Sequence, residues 1–196
     1  DAGQAEGDEA LAWFYETGTG VTADQSRALA LYRRAAEAGR KHAQWRLGVM
    51  LDEGRGTRAD PEAAYGWISE AADQDYGPAI VSLAVMQATG RGTGADNSAA
   101  LRSYLRAARL GEPHGFYGIG VLFARGEGMQ ADKAEAAAWM FVAQQLGDVS
   151  ATEALPMLLE GLGDDAVDAI ADRAVSIADS LEVRITQDAR APLPVG

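Results

Sequence analysis

Apolar residues along this chain fall into short blocks of helical spacing, each closed by a glycine-rich break. Between residues 41 and 53, Ala43, Leu47, Met50 and Leu51 share one face; between 61 and 74, Ala64, Trp67, Ile68, Ala71 and Ala72 do the same. The two blocks read as antiparallel helices A and B, joined by "DEGRGTRAD" at residues 52–60. Gly48, Ala64, Ala71 and Ala72 are small enough to let the pair approach closely, which leaves Met50 and Ile68 to fill the space against neighbouring pairs. Burying such a side chain contributes roughly 1.5–3 kcal/mol, but only where a neighbour covers it. One pair alone is not expected to fold.

The break itself recurs. The first glycine of a Gly-x-Gly falls at Gly18, Gly54, Gly90 and Gly126, a spacing of 36 each time, and Asp24, Asp60, Asp96 and Asp132 keep the same interval. So do Ala28, Ala64, Ala100 and Ala136, and an apolar column of Leu11, Leu47, Leu83, Ile119 and Leu155 runs through the array. Units close near Gly39, Gly111 and Gly147, with Asp75 the exception. The glycines are expected to stop helix A in a positive-φ conformation. Each aspartate is expected to cap helix B, with Pro61 at the first helical position and Asp132 and Glu135 at capping-box spacing. A Ca²⁺ loop would need alternating oxygen ligands and a phosphate loop its lysine, and both are missing.

These columns resemble the Sel-1-like repeat (SLR) family, related to the tetratricopeptide repeats. The second unit carries the pattern as Ala43, Leu47, Gly48, Leu51, Gly54, Gly56, Asp60, Ala64, Ile68, Ala71 and Ala72; the first carries it from Leu11 and Tyr15 through Val21 to Gly39. Thr57 and Thr93 stand in place of the usual valine, and Gly115 in place of an alanine. The fold this implies is all-α: a right-handed superhelical solenoid of antiparallel helix pairs. Residues 1–147 form four repeats, 148–183 a partial repeat helix and a capping helix, and 184–196 an extended tail. Pro156 is expected to disturb the partial helix. From about 164 to 182, Val167, Ile170, Ala174, Ile177 and Leu181 form one apolar stripe that would cover the last open face of the stack.

Composition narrows the function. The 196 residues, 47% hydrophobic and 23% charged, are ordinary globular material, and no apolar run approaches the ~20 residues of a membrane span. A formal charge of −12 argues against nucleic acid as a partner, which needs clustered Lys and Arg. The charge is uneven: residues 148–196 sum to −7 and residues 77–111 to +3. Cysteine is absent, so disulfides and zinc–thiolate sites are excluded. The two histidines, His42 and His114, sit two units apart, roughly 20 Å at ~10 Å per helix layer, too far to share a metal. No catalytic constellation stands out, so no enzyme activity, cofactor or metal is expected.

The resemblance implies that A helices line a concave surface. Counting around each helix from the buried column places Trp13, Glu16, His42, Trp45, Asp52, Glu53, Val81, His114, Tyr117 and Arg125 on that surface. Trp13, Trp45, Val81 and Tyr117 make an aromatic-apolar stripe edged by acids, a composition suited to a peptide or partner helix anchored by aromatics. The competing reading of these rings is packing between adjacent A helices; Trp67 and Trp139 are assigned to the core. The expected function is a non-enzymatic scaffold or regulator binding a protein or peptide, the soluble domain of a membrane protein among the partners that resemblance allows. Aromatic stacking on sugars in a polysaccharide- or peptidoglycan-associated module is the alternative. A chain starting at Asp1, almost flush with the first repeat, has the form of a mature exported protein, so the periplasm is the expected location and the cytoplasm the alternative.

Overall fold

Four corners turn the chain in the same way, and their backbone explains the 36-residue columns. In the computed structural model, which describes residues 2–185, Gly18, Gly54, Gly90 and Gly126 all take left-handed φ of 67° to 73° and end a helix. At Gly54 the cap N–H returns to the Met50 carbonyl, and Arg55 N–H does the same at 2.8 Å. Each corner aspartate caps the helix that follows, and three of the four also bond back to the helix just left. Its side chain accepts from a free N–H at the start of the next helix, at 3.0 Å for Asp24, 3.1 Å for Asp60 and 2.9 Å for Asp96 and Asp132. The backbone N–H of three of them reaches back to the helix just left, Asp60 to Leu51 O at 2.8 Å, Asp24 to Tyr15 O and Asp132 to Phe123 O. At those three corners one residue thereby satisfies a free group at the end of one helix and another at the start of the next.

The second glycine does something different. A Cβ on Gly56 would lie 2.3 Å from the carbonyl oxygen of Gln25, one on Gly92 2.0 Å from that of Pro61, and one on Gly128 3.0 Å from the Asn97 Cβ. Gln25, Pro61 and Asn97 are each the first residue of helix B in the preceding repeat. This glycine is where one repeat's corner rests on the backbone of the one before.

The chain divides into two compact units, one ending at Ala95 and the other beginning at Asp96. The first holds α1 (Ala2–Thr17), α2 (Gln25–Glu37), α3 (Lys41–Glu53), α4 (Pro61–Asp73) and α5 (Gly77–Thr89). Helices α1/α2 and α3/α4 are hairpins, and α2 packs on α3 and α4 on α5. Tyr32, Leu47, Met50, Ile68 and Ile80 fill the interior. Leu11 departs from its column: it is 41% exposed while Leu47 is fully buried, because within this unit no helix covers the outer side of α1.

The second unit holds α6 (Asn97–Arg109), α7 (Pro113–Arg125), α8 (Lys133–Gln145), α9 (Val149–Leu159) and α10 (Asp164–Ser180). α7 and α8 form its hairpin, α6 packs on α7, and both α9 and α10 pack on α8. Ile170, Ala174 and Ile177 of the apolar stripe are buried as a cap would require. Pro156 does not break α9: it removes one bond in the last turns, and the buried face of Ala151, Leu155 and Leu159 carries the helix through. Glu135 does not close a capping box, because Asp132 N–H is already bonded to Phe123 and the Glu135 carboxylate is held by both Arg173 Nε (2.8 Å) and a terminal nitrogen (2.7 Å). Asp75 adopts φ 52°, the conformation glycine supplies at Gly39, Gly111 and Gly147. Every regular element among the described residues is a helix, and most of the expected tail, 186–196, lies outside them.

Candidate functional site

Four of the expected groove residues come together in the first unit, where seven side chains line a recess of about 350 Å³: Trp13, Glu16 and Thr17 from α1, His42, Trp45 and Arg46 from α3, and Arg55 from the corner after α3. Helical spacing explains the grouping. Trp13 to Glu16 and His42 to Trp45 are steps of three, and His42 to Arg46 a step of four, so each set shares one face. Arg55 is aimed by the corner, held between two left-handed glycines.

Glu16 organises the floor. Its side chain is 5% exposed and accepts from Tyr32 Oη at 2.9 Å, from Arg46 through two nitrogens, and from Arg55 at 2.7 Å. One carboxylate therefore serves two guanidiniums, and Glu53 at 2.6 Å from Arg55 Nε supplies a second acid at the rim. Burial, and after it the charge of Arg55, pull Arg46 below the usual guanidinium range. Burial pushes the Tyr32 hydroxyl up to about 12, so it stays a donor to Glu16 at neutral pH.

The aromatic walls differ. Trp13 is 45% exposed and meets only Phe14, edge-on at 5.2 Å, among the ring pairs of the described residues. Trp45 is half-buried: its indole N–H donates to Ser82 Oγ at 3.0 Å, Tyr76 stands edge-on at 5.7 Å, and the Arg46 guanidinium lies 5.2 Å from its ring centre. Trp45 thus joins α3 to α5 as well as walling the recess. His42 sits at the rim with Nδ1 2.7 Å from Glu9, which also accepts from Arg40 at 2.6 Å.

The remaining expected residues are engaged elsewhere. Asp52 accepts from Arg91 Nε at 2.5 Å, and Arg91 also reaches the Asp52 carbonyl. Val81 is half-buried on α5. In the second unit, exposed His114 lies 3.4 Å from the buried carboxylate of Asp148, Tyr117 is half-buried, and exposed Arg125 is 3.5 Å from Glu127. Trp139 is core; Trp67 is half-buried. Among the described residues no three His, Cys, Asp or Glu side chains gather as a metal group, and no helix is long and apolar enough to cross a membrane.

Reading the sequence overlooked Arg46 and Arg55. The signal for Arg55 was present: Arg55 and Arg91 are one column, Glu16 and Asp52 another, and each corner arginine reaches the acid one repeat back.

A family model of the Sel1 repeat matches residues 5–39, 41–76, 77–112 and 116–148, most of the chain. The chain belongs to the Sel1 repeat family. Sel1 repeat proteins are generally non-enzymatic protein-interaction scaffolds, and the helix pairs of this one are those of an α-solenoid. Among solved structures, this Sel1 repeat protein is similar to a protective antigen present in uropathogenic Escherichia coli strains that displays an SLR fold, at 26% identity and a TM-score of 0.76. That similarity covers 91% of this chain but 39% of the antigen. A Sel1 repeat protein from Oxalobacter formigenes is similar at 22% identity and a TM-score of 0.75, over 95% of this chain and 82% of the other. No curated protein matches the sequence.

Proposed function

We propose that this Sel1 repeat protein is a non-enzymatic scaffold or regulator of the bacterial envelope that holds a segment of a partner protein on the faces of its A helices, with the α1/α3 recess as anchor. The carrying observation is an exposed Trp13 beside two guanidiniums that share one buried carboxylate. A segment bringing an aromatic or aliphatic side chain onto Trp13 and a carboxylate to the Arg46 and Arg55 side of the recess would gain charge-assisted hydrogen bonds. In the envelope, the soluble domain of a membrane protein would be within reach of this face.

Selection of a displayed peptide library on the full chain tests the reading. Retained peptides should pair an aromatic or aliphatic residue with Asp or Glu, and Trp13→Ala should weaken them at least tenfold with unchanged helicity. Trp13 is the informative position, since losing Trp45 would also loosen α5. Peptides that bind Trp13→Ala as well as the parent would refute the site; saturable binding of glycans or muropeptides, lost in Trp13→Ala, would replace the partner class with sugars.

A further inference from the structure

A second recess lies wholly in the second unit and plays no part in the reading above. It measures about 450 Å³, within the ~300–1,000 Å³ of ligand pockets, and opens between the start of α8, the end of α9 and α10. Its lining is mainly apolar: Leu158, Leu162, Ala166, Ala169 and Ile170, with Leu162 38% exposed and both alanines exposed. One wall is the Glu135–Arg173 pair, braced by the Trp139 indole N–H at 3.0 Å from Glu135. That pairing consumes the charge of Arg173 and leaves Lys133 as the other basic residue of the lining.

The surroundings are acidic. Asp132 and Glu160 line the opening. Asp165 and Asp172, seven residues apart and so on one edge of α10, immediately precede the lining residues Ala166 and Arg173 and are exposed. None of Glu160, Asp165 and Asp172 forms an ion pair among the described residues. An apolar hollow with a negative rim selects against anionic lipids, fatty acids and nucleic acids, and for an apolar group carried between cations.

We propose that this recess docks a basic amphipathic segment of a partner protein: an aliphatic or aromatic side chain seats among Leu158, Leu162 and Ile170, while flanking Lys or Arg side chains meet Glu160, Asp165 and Asp172. The α10 cap is then an interaction surface as well as a cover for α8.

The test is titration of the full chain with a labelled synthetic helical peptide of leucine and lysine, its twin with every lysine replaced by glutamate, and its twin with leucines replaced by serine. The leucine–lysine peptide should bind and weaken as salt is raised from 50 to 300 mM; neither twin should bind. Asp165→Lys with Asp172→Lys should weaken binding at least tenfold, whereas Glu37→Lys with Asp73→Lys, an equal charge change on exposed positions of the other unit, should change it less than threefold. Ala166→Phe should block the hollow; Ala169→Gln, also at an exposed position, repeats the test should Ala166→Phe lose helicity. Equal loss in both charge pairs, binding of the serine twin, or binding untouched by the recess variants overturns the proposal. Self-association of the chain abolished by Ala166→Phe would also overturn it, by giving the recess to a second copy.

Discussion

Substituting the second corner glycine by alanine separates two costs that the structure assigns to different causes. Gly20 and Gly92 hold nearly the same conformation, φ 74° and 71°, so alanine suffers the same left-handed strain at both, about 1–2 kcal/mol. Reduced freedom of the unfolded chain returns roughly 0.4–1 kcal/mol. Gly20 has nothing within 4 Å of the added Cβ, so Gly20→Ala should cost only about 0.5–1 kcal/mol. At Gly92 the Cβ would stand 2.0 Å from the Pro61 oxygen, against an ordinary C···O separation of about 3.3 Å. Pro61 opens α4 and its carbonyl belongs to the helix, so relief requires moving the corner off α4 rather than rotating a side chain. Such overpacking adds about 1–3 kcal/mol or more, putting Gly92→Ala at roughly 2–5 kcal/mol. Urea unfolding at 25 °C and thermal melting, each followed by helicity, measure both; at about 2–4 °C per kcal/mol, Gly92→Ala should lower Tm by about 4–20 °C and Gly20→Ala by no more than about 4 °C. Equal losses at the two positions would refute the idea that repeats stack through this glycine.

Asp60→Ala should cost about 0.5–2 kcal/mol by removing the cap on α4, measured by thermal melting, and the loss should be the same in EDTA and in millimolar Ca²⁺. Burial raises both Tyr32 and Tyr104 to about 12 from 10.0, so an unfolded tyrosine loses its proton first. The stabilisation is whole below pH 10 and is lost as pH climbs from 10 towards 12, on the order of 2–3 kcal/mol per tyrosine. Melting in that window should be steep for the parent and shallower for Tyr32→Phe with Tyr104→Phe; parallel curves would refute it.

What could be read from the sequence was whatever the backbone imposes locally. A left-handed corner calls for glycine and a helix start calls for aspartate, so Gly54 and Asp60 announced their roles. Leu47 and Ile119 betrayed the interior by recurring, while Leu11 carried the same letter into an uncovered place. Partnerships across repeats were harder to see. Glu135 has the spacing of a capping box, yet Arg173, 38 residues away, takes its carboxylate. Trp45 could be placed on a helix face but not told apart from a packing ring until Tyr76 and Ser82 were beside it. Arg55 looked like a loop residue because its partner Glu16 lies 39 positions earlier.

The α1/α3 recess takes three of its residues from one repeat and four from the next. No single 36-residue cassette therefore owns it. Duplicating, deleting or shuffling one cassette would rewrite two junctions at once, so ligand preference in such an array changes in steps with the order of its modules, even when every module keeps its own sequence.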